Sequence, residues 1–286
     1  MAIDKPIEIK ERVQKVLARS GHGSRRQIEA WIQDGRISIN GIVCKLGDSI
    51  NADDTVCLDE KPLRFEIDIP SRVIAYHKPV GELCTRGDPE GRPTIYDHLP
   101  RLKQGRWVQV GRLDYNTSGL LLLTTDGELA NRLMHPSAEV EREYAVRVLG
   151  EVEHGMLDQL RQGVMLEDGM AAFSRIKDAG GSGANHWYHV ILKEGRKHEV
   201  RRLWDSQGLT VSRLKRIRYG PIILTARLAQ QRWRELDEAE LDAVLALVGM
   251  KKKVSTNTRP DIKSAYAKKR TAARQSRRRM PSKRKF

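Results

Sequence analysis

The sequence predicts an α+β protein. A small N-terminal helix–helix–hairpin module (10–67) precedes a larger domain with a mixed, mostly antiparallel sheet (72–250), and a disordered basic tail (251–286) ends the chain. Three observations carry this reading. The chain has 286 residues, 39% of them hydrophobic, which suits about two packed domains. Between residues 72 and 250 apolar strand patterns alternate with a few helical stripes, without regular βαβ repetition. The formal net charge of +15 is concentrated at one end. Residues 251–286 hold fifteen of the 52 Lys/Arg and one of the 37 Asp/Glu, a net +14, which leaves +1 for the rest.

The elements follow in order. Val13, Val16 and Leu17 form an apolar stripe at i, i+3, i+4, while Arg12, Lys15 and Arg19 occupy another face. Ser20-Gly21-His22-Gly23 ends that helix. Ser24 and Gln27 make a capping-box pattern for a second helix, with Ile28, Trp31 and Ile32 as its buried stripe and Gly35 as its stop. Ile37 and Ile39 alternate with polar residues, and Asn40-Gly41 signals a two-residue hairpin. Residues 66–71, with Pro70, read as a linker. Strands are expected at 72–76, 107–110, 120–123, 141–149 and 187–192, with a turn at Lys78-Pro79-Val80-Gly81. Helices are expected at 128–134, 152–162, 198–206 and 238–247.

Composition narrows the function. No apolar run reaches the roughly 18 residues that span a bilayer, and the first residues lack a signal-peptide core, so a cytoplasmic chain with no membrane partner is expected. Cys44, Cys57 and Cys84 form no metal or redox spacing, so they read as free thiols. The eight histidines are scattered and no metal site is expected. The tail has too few apolar residues to offset chain entropy. Its cations suit phosphate contact, or serve solubility alone.

One segment concentrates chemistry. Gly111-Arg112-Leu113-Asp114-Tyr115-Asn116-Thr117-Ser118-Gly119 places one carboxylate on a glycine-bounded loop between two strand patterns. With Glu141-Arg142-Glu143-Tyr144-Ala145-Val146, with Leu192 to Arg201, and with Leu83 to Thr94, this run resembles the RsuA-type pseudouridine synthases. The order of the segments matches as well. The Leu83–Thr94 segment and Thr125 to Pro136 are most similar to the large-subunit members of that family. Residues from Glu11 to Gly41 resemble an S4 RNA-binding domain, with eight basic and three acidic residues between Lys10 and Lys45.

The resemblance implies isomerisation of uridine to pseudouridine in ribosomal RNA, 23S RNA near the peptidyl-transferase region in particular. It implies no cofactor and a monomeric enzyme acting on a flipped-out base. Asp114 is then the catalytic carboxylate, as nucleophile at C1′ or as base at the 2′ position. Tyr144 stacks on the uracil and takes part in proton transfer, and Arg201 keeps Asp114 ionised. The residues alone leave other readings open. Tyr144 also suits a strand core beside Val146 and Val148. Arg201 also suits an exposed pair with Asp205 at i+4. Leu192, the family's apolar contact to the base, also suits plain core packing. Arg112 serves phosphate contact or a structural ion pair. Arg86 and Arg92, with Asp88 and Thr94, sit on a Gly/Pro-punctuated loop that meets flanking nucleotides or only solvent.

For RNA holding, the candidates are Arg12, Lys15, Arg19, Arg25 and Arg26. The last two lie in the first turn of a helix, where cations are unfavourable until a phosphate arrives. A solvated charged helix end is the alternative. Two other functions compete. A non-catalytic S4-domain RNA-binding or ribosome-assembly protein would tolerate Asn or Ala at position 114. A nucleoside hydrolase would need a second placed carboxylate.

Overall fold

The computed structural model describes residues 10–67, 71–103, 105–182 and 185–252. Residues 68–70 of the linker expected at 66–71, and residues 253–286 of the disordered tail expected at 251–286, lie outside the described residues.

The N-terminal module runs β1 (Glu11–Arg12), α1 (Val13–Arg19), α2 (Arg25–Gln33), β2 (Ile37–Ile39), β3 (Ile42–Val43), β4 (Ser49–Ile50), β5 (Val56–Leu58) and β6 (Lys61–Pro62). Its core is its own: Val13, Val16, Leu17, Ile28, Ile32 and Ile37 are all buried together. Trp31, expected in that stripe, only packs on its margin, under the Arg36 guanidinium at 5.8 Å. Ser24 accepts the Gln27 N–H at 3.1 Å and so caps α2. Asn40 and Gly41 take φ of 50° and 82°, the two left-handed residues that a tight hairpin between β2 and β3 demands.

The larger part is built on one nine-stranded sheet. Its elements are β7 (Val73–Lys78), β8 (Val108–Val110), β9 (Ser118–Thr124), α3 (Gly127–Met134), β10 (Arg142–Leu149) and α4 (His154–Gln162). A separate hairpin follows, β11 (Val164–Leu166) and β12 (Gly169–Ala171). Then come β13 (Arg175–Ser182), β14 (Asn185–Leu192), α5 (Glu199–Asp205), β15 (Thr210–Tyr219), β16 (Ile222–Ile223), β17 (Trp233–Glu235) and α6 (Glu238–Leu247). The strand order is β13-β14-β10-β15-β9-β7-β17, with β8 on β9 and β16 on β15. Every pairing is antiparallel except β9 with β15. One hydrophobic cluster fills each face.

Two sequence expectations need correction. Lys78 is the last residue of β7 and wholly buried, so the turn begins one residue later than the Lys-Pro-Val-Gly pattern suggested. The central strand β15 was not expected at all. Its register against β10 shifts twice, so its apolar residues fall out of step with a period of two. At the parallel seam Gly119 has φ +113°, and a Cβ there would lie 2.2 Å from the Arg216 carbonyl oxygen. Only glycine permits β9 and β15 to approach in this way. That approach fixes the loop ahead of β9, which carries Asp114.

Candidate active site

The Asp114 loop is held by its backbone. Gly111 turns the chain out of β8 with φ +73°, and Leu113 is buried while its N–H donates to Cys84 Sγ at 3.4 Å. Thr117 N–H returns to the Asp114 carbonyl at 3.0 Å. Beneath it, the ammonium of Lys78 donates to the carbonyls of Asp114 (3.0 Å), Thr117 (2.9 Å) and Pro79 (3.0 Å). Burial lowers the Lys78 pKa. With its main chain tied down, the loop projects the Asp114 carboxylate outward, 38% exposed. His198 Nε2 lies 3.5 Å from Asp114 Oδ1. His198 holds a left-handed φ of 53° at the start of α5, a strained conformation for a residue with a Cβ.

Asp114 opens onto a cleft of about 730 Å³, within the size range of small-molecule sites. Its walls come from the start of β10, the ends of β14 and β15, and the loop into α5. Tyr144 and Leu192 both line it while buried in the sheet core. Tyr144 sits with Val146 and Val148 on the inward face of β10, so core packing and a cleft position coincide in one residue. Across the floor, the Tyr219 ring lies between two guanidiniums, Arg142 at 5.3 Å and Arg216 at 5.2 Å. Arg142 Nη1 donates to the carbonyls of Val140 (2.9 Å) and Lys193 (2.6 Å). Arg216 Nε donates to Leu120 O at 2.7 Å. Glu199, also buried in the lining, accepts the Arg196 N–H at 2.9 Å. Burial pushes its carboxyl up to about 7; the Arg196 N–H opposes the shift and the Glu194 carboxyl adds to it.

The other predicted residues divide. Arg112 is exposed at the cleft and pairs with no acid among the described residues. Arg201 does not pair with Asp114: its guanidinium donates to Val211 O (2.8 Å) and Asn116 O (3.2 Å), bracing the loop rather than its carboxylate. Arg86 stacks on Tyr96 at 4.5 Å and bonds the Trp107 carbonyl. Arg92 holds Asp88 at 2.8 Å, and the Thr94 N–H donates to the Asp97 carboxylate at 2.7 Å at the head of the following 3₁₀ turn. These three lie outside the cleft lining. In the N-terminal module, Arg19 and Lys15 both engage Glu11, at 3.1 and 3.4 Å, because the acid of β1 faces the same side of α1. Arg12, Arg25 and Arg26 remain exposed.

Sequence reasoning missed Lys78, His198, Arg142 and Arg216. A signal existed for Lys78: it follows the apolar run Val73 to Tyr76 by two residues, on the side of the strand that Tyr76 occupies. The others had none, since nothing local marks a left-handed histidine or a buried strand arginine.

The RNA pseudouridylate synthase family model matches residues 72–206, and the S4 domain model matches residues 11–56. The chain is 58% identical to the ribosomal large subunit pseudouridine synthase B of Pseudomonas aeruginosa, over 86% of this chain and 64% of that protein. It thus spans less than two thirds of that relative. It is 55% identical to the protein of the same name from Escherichia coli K12, over 86% of each chain. The Vibrio cholerae protein of that name is 54% identical over 88% of this chain and 80% of its own length. Among solved structures, one described as a pseudouridylate synthase superposes with a TM-score of 0.57 at 26% identity, over 82% of this chain and 99% of its own.

Proposed function

This chain belongs to the RNA pseudouridylate synthase family, and on that premise we propose that it isomerises a uridine of large-subunit ribosomal RNA to pseudouridine. The observation that carries the reading is the convergence of Asp114, Tyr144 and Leu192 on one cleft, with the carboxylate open to it and the ring and leucine forming an apolar wall. The relatives' names support the large-subunit target, and a uridine near the peptidyl-transferase region is the expectation that the family resemblance adds to this proposal. The chain works as a cytoplasmic monomer.

The reaction breaks C1′–N1, turns the uracil and joins C5 to C1′; the C5 proton leaves and N1 gains one, so the product is an isomer. Asp114 supplies the carboxylate at the ribose, by adding to C1′ or by taking the 2′ proton. Tyr144 gives the base a stacking platform, and its hydroxyl serves the proton transfer at C5. Leu192 closes the apolar side and keeps water from the intermediate. Arg201 and Lys78 set the loop that aims Asp114, through Asn116, Asp114 and Thr117 carbonyls. Arg112, exposed at the cleft, takes a phosphate of the target strand, and Arg12, Arg25 and Arg26 hold RNA away from the chemistry. Arg86 and Arg92, as part of the Cys84–Thr94 loop, brace that surface for flanking nucleotides.

The test is Asp114→Asn. The variant should form no pseudouridine in 23S RNA while its RNA affinity stays near that of the unaltered chain. Turnover equal to the unaltered chain would defeat the assignment.

A further inference from the structure

Four buried polar atoms of the cleft lining have no hydrogen-bond partner among the described residues: Thr117 Oγ1, Glu199 Oε1, Arg216 Nη2 and the uncharged amide oxygen Gln109 Oε1. The hydroxyl can turn to find a neighbour. A carboxyl as buried as Glu199 is readily protonated. The guanidinium has neither escape. Arg216 is 2% exposed and always charged, and no carboxylate of the described residues pairs with it. Burying a charge without its counterpart is costly, so an acceptor that a ligand brings to this donor would be favoured.

The strand geometry says what can reach that donor. Arg216 and Leu214 share the cleft-lining side of β15. In register, Arg216 lies beside Tyr144 on one flank and Gly119 on the other. Because Gly119 has no side chain, the guanidinium crosses bare β9 backbone and is anchored there by Leu120 O. It therefore stands at the depth of the ring that stacks the base. A phosphodiester is tethered on both sides and stays at the mouth, with exposed Arg112. Only the base edge enters far enough.

We propose that Arg216 donates from Nη2 to an exocyclic oxygen of the target uracil and holds the charge that this oxygen acquires during the reaction. The inference rests on the isomerase reading above. When C1′–N1 breaks, its electron pair passes into the uracil, whose exocyclic oxygens share the negative charge. When C5 joins C1′ a pair returns to the sugar carbon, C5 gives up its proton and N1 gains one, and the charge on the oxygens is discharged. A fixed cation at that oxygen acts like an oxyanion donor. It favours the broken-bond state over the bound nucleoside, and a catalytic role for Arg216 follows.

The experiment uses the full chain and 23S RNA transcribed with uridine or with 5-fluorouridine, and follows C-glycoside formation by nucleoside chromatography. The fluorinated base has no C5 proton to give up, so its C-glycoside keeps the fluorine and adds solvent water across C6–N1, and that hydrate is the product counted. Fluorine stabilises a uracil anion by itself. Arg216→Gln should slow conversion of uridine RNA by about 100-fold. The deficit should be clearly smaller on 5-fluorouridine RNA, and RNA affinity should be retained. Arg216→Lys, which keeps charge and volume, should fall between and carries the comparison if the glutamine variant does not fold. Arg218→Gln removes the ion pairs to Glu141 and Glu143 from the same strand and should show no dependence on fluorine. An equal deficit on both RNAs, or none, would overturn the role of Arg216. If the unaltered chain converts no uridine, the isomerase reading falls first and takes this inference with it.

Discussion

The loops Cys84–Thr94 and Gly111–Gly119 are spelled with the same letters, arginine, aspartate, threonine and glycine, and they touch where Leu113 N–H meets Cys84 Sγ. They use those letters in opposite ways. In the first, Arg92 closes on Asp88 with bonds of 2.8 and 3.0 Å and on Glu90 at 3.2 Å. Asp88 is lowered to about 2, chiefly by its hydrogen bond from the Arg92 side chain, and the loop neutralises itself. In the second, Arg112 has no acid, and Asp114 meets only the edge of an imidazole among the described residues. The backbone of that loop is instead gripped from below by Lys78. A charge that is satisfied by its own loop is scaffold, and a charge whose loop is held by other atoms is available to a ligand.

The contrast can be broken most forcefully at Lys78. Lys78→Met leaves three carbonyls without their donor, and should cost about 3 kcal/mol of stability. Turnover should fall by about 100-fold once the loop shifts, since small misplacements are that costly. Thermal melts and conversion of 23S RNA check both. A variant with native turnover would show that the loop does not need its grip.

A middle-sized effect belongs to Glu199. Its folded pKa of about 7 lies above its ordinary 4.5. A group raised in this way binds its proton more tightly when folded, so its contribution is full below 4.5 and is lost as pH rises to about 7. The unaltered chain should therefore lose melting temperature across that window, and Glu199→Gln should flatten the slope. An unchanged slope would place the ionisation elsewhere.

The smallest effect sharpens the comparison from the scaffold side. Asp88→Asn weakens a pair whose Arg92 end is open to solvent while the Asp88 side chain is covered, and it keeps an acceptor oxygen for the Arg92 N–H groups, so the loss is small. Turnover should stay within about threefold. A collapse of activity would mean that the first loop meets RNA directly through Asp88 or Arg92.

How much of this was legible in the sequence follows from how local each signal is. In the N-terminal module the two helices and the first hairpin could be read, because stripes, a serine cap and Asn40-Gly41 are contained within a few residues; the short strands β1, β4, β5 and β6 carry too few residues to show a pattern. The family motifs single out Asp114 and Tyr144, and the fold brings both to one cleft. β15 was not, because two bulges hide its period, although it is central to the sheet. Arg19 and Lys15 were read as phosphate holders because Glu11 lies outside the helix whose face was counted. Arg201 was placed on the carboxylate when it braces the loop two residues further on. Lys78, Arg142 and Arg216 gain their meaning from burial, which depends on strands far apart in the chain.

The proposed chemistry of this cleft is the rearrangement of one kind of uridine. Its most direct test is chemical mapping of pseudouridine in both ribosomal RNAs from cells carrying the intact gene, no gene, or Asp114→Asn. The prediction is a pseudouridine in 23S RNA that is present only with the intact gene, and no change in the small-subunit RNA. Identical maps in all three, or a site restored by the asparagine variant, would contradict it.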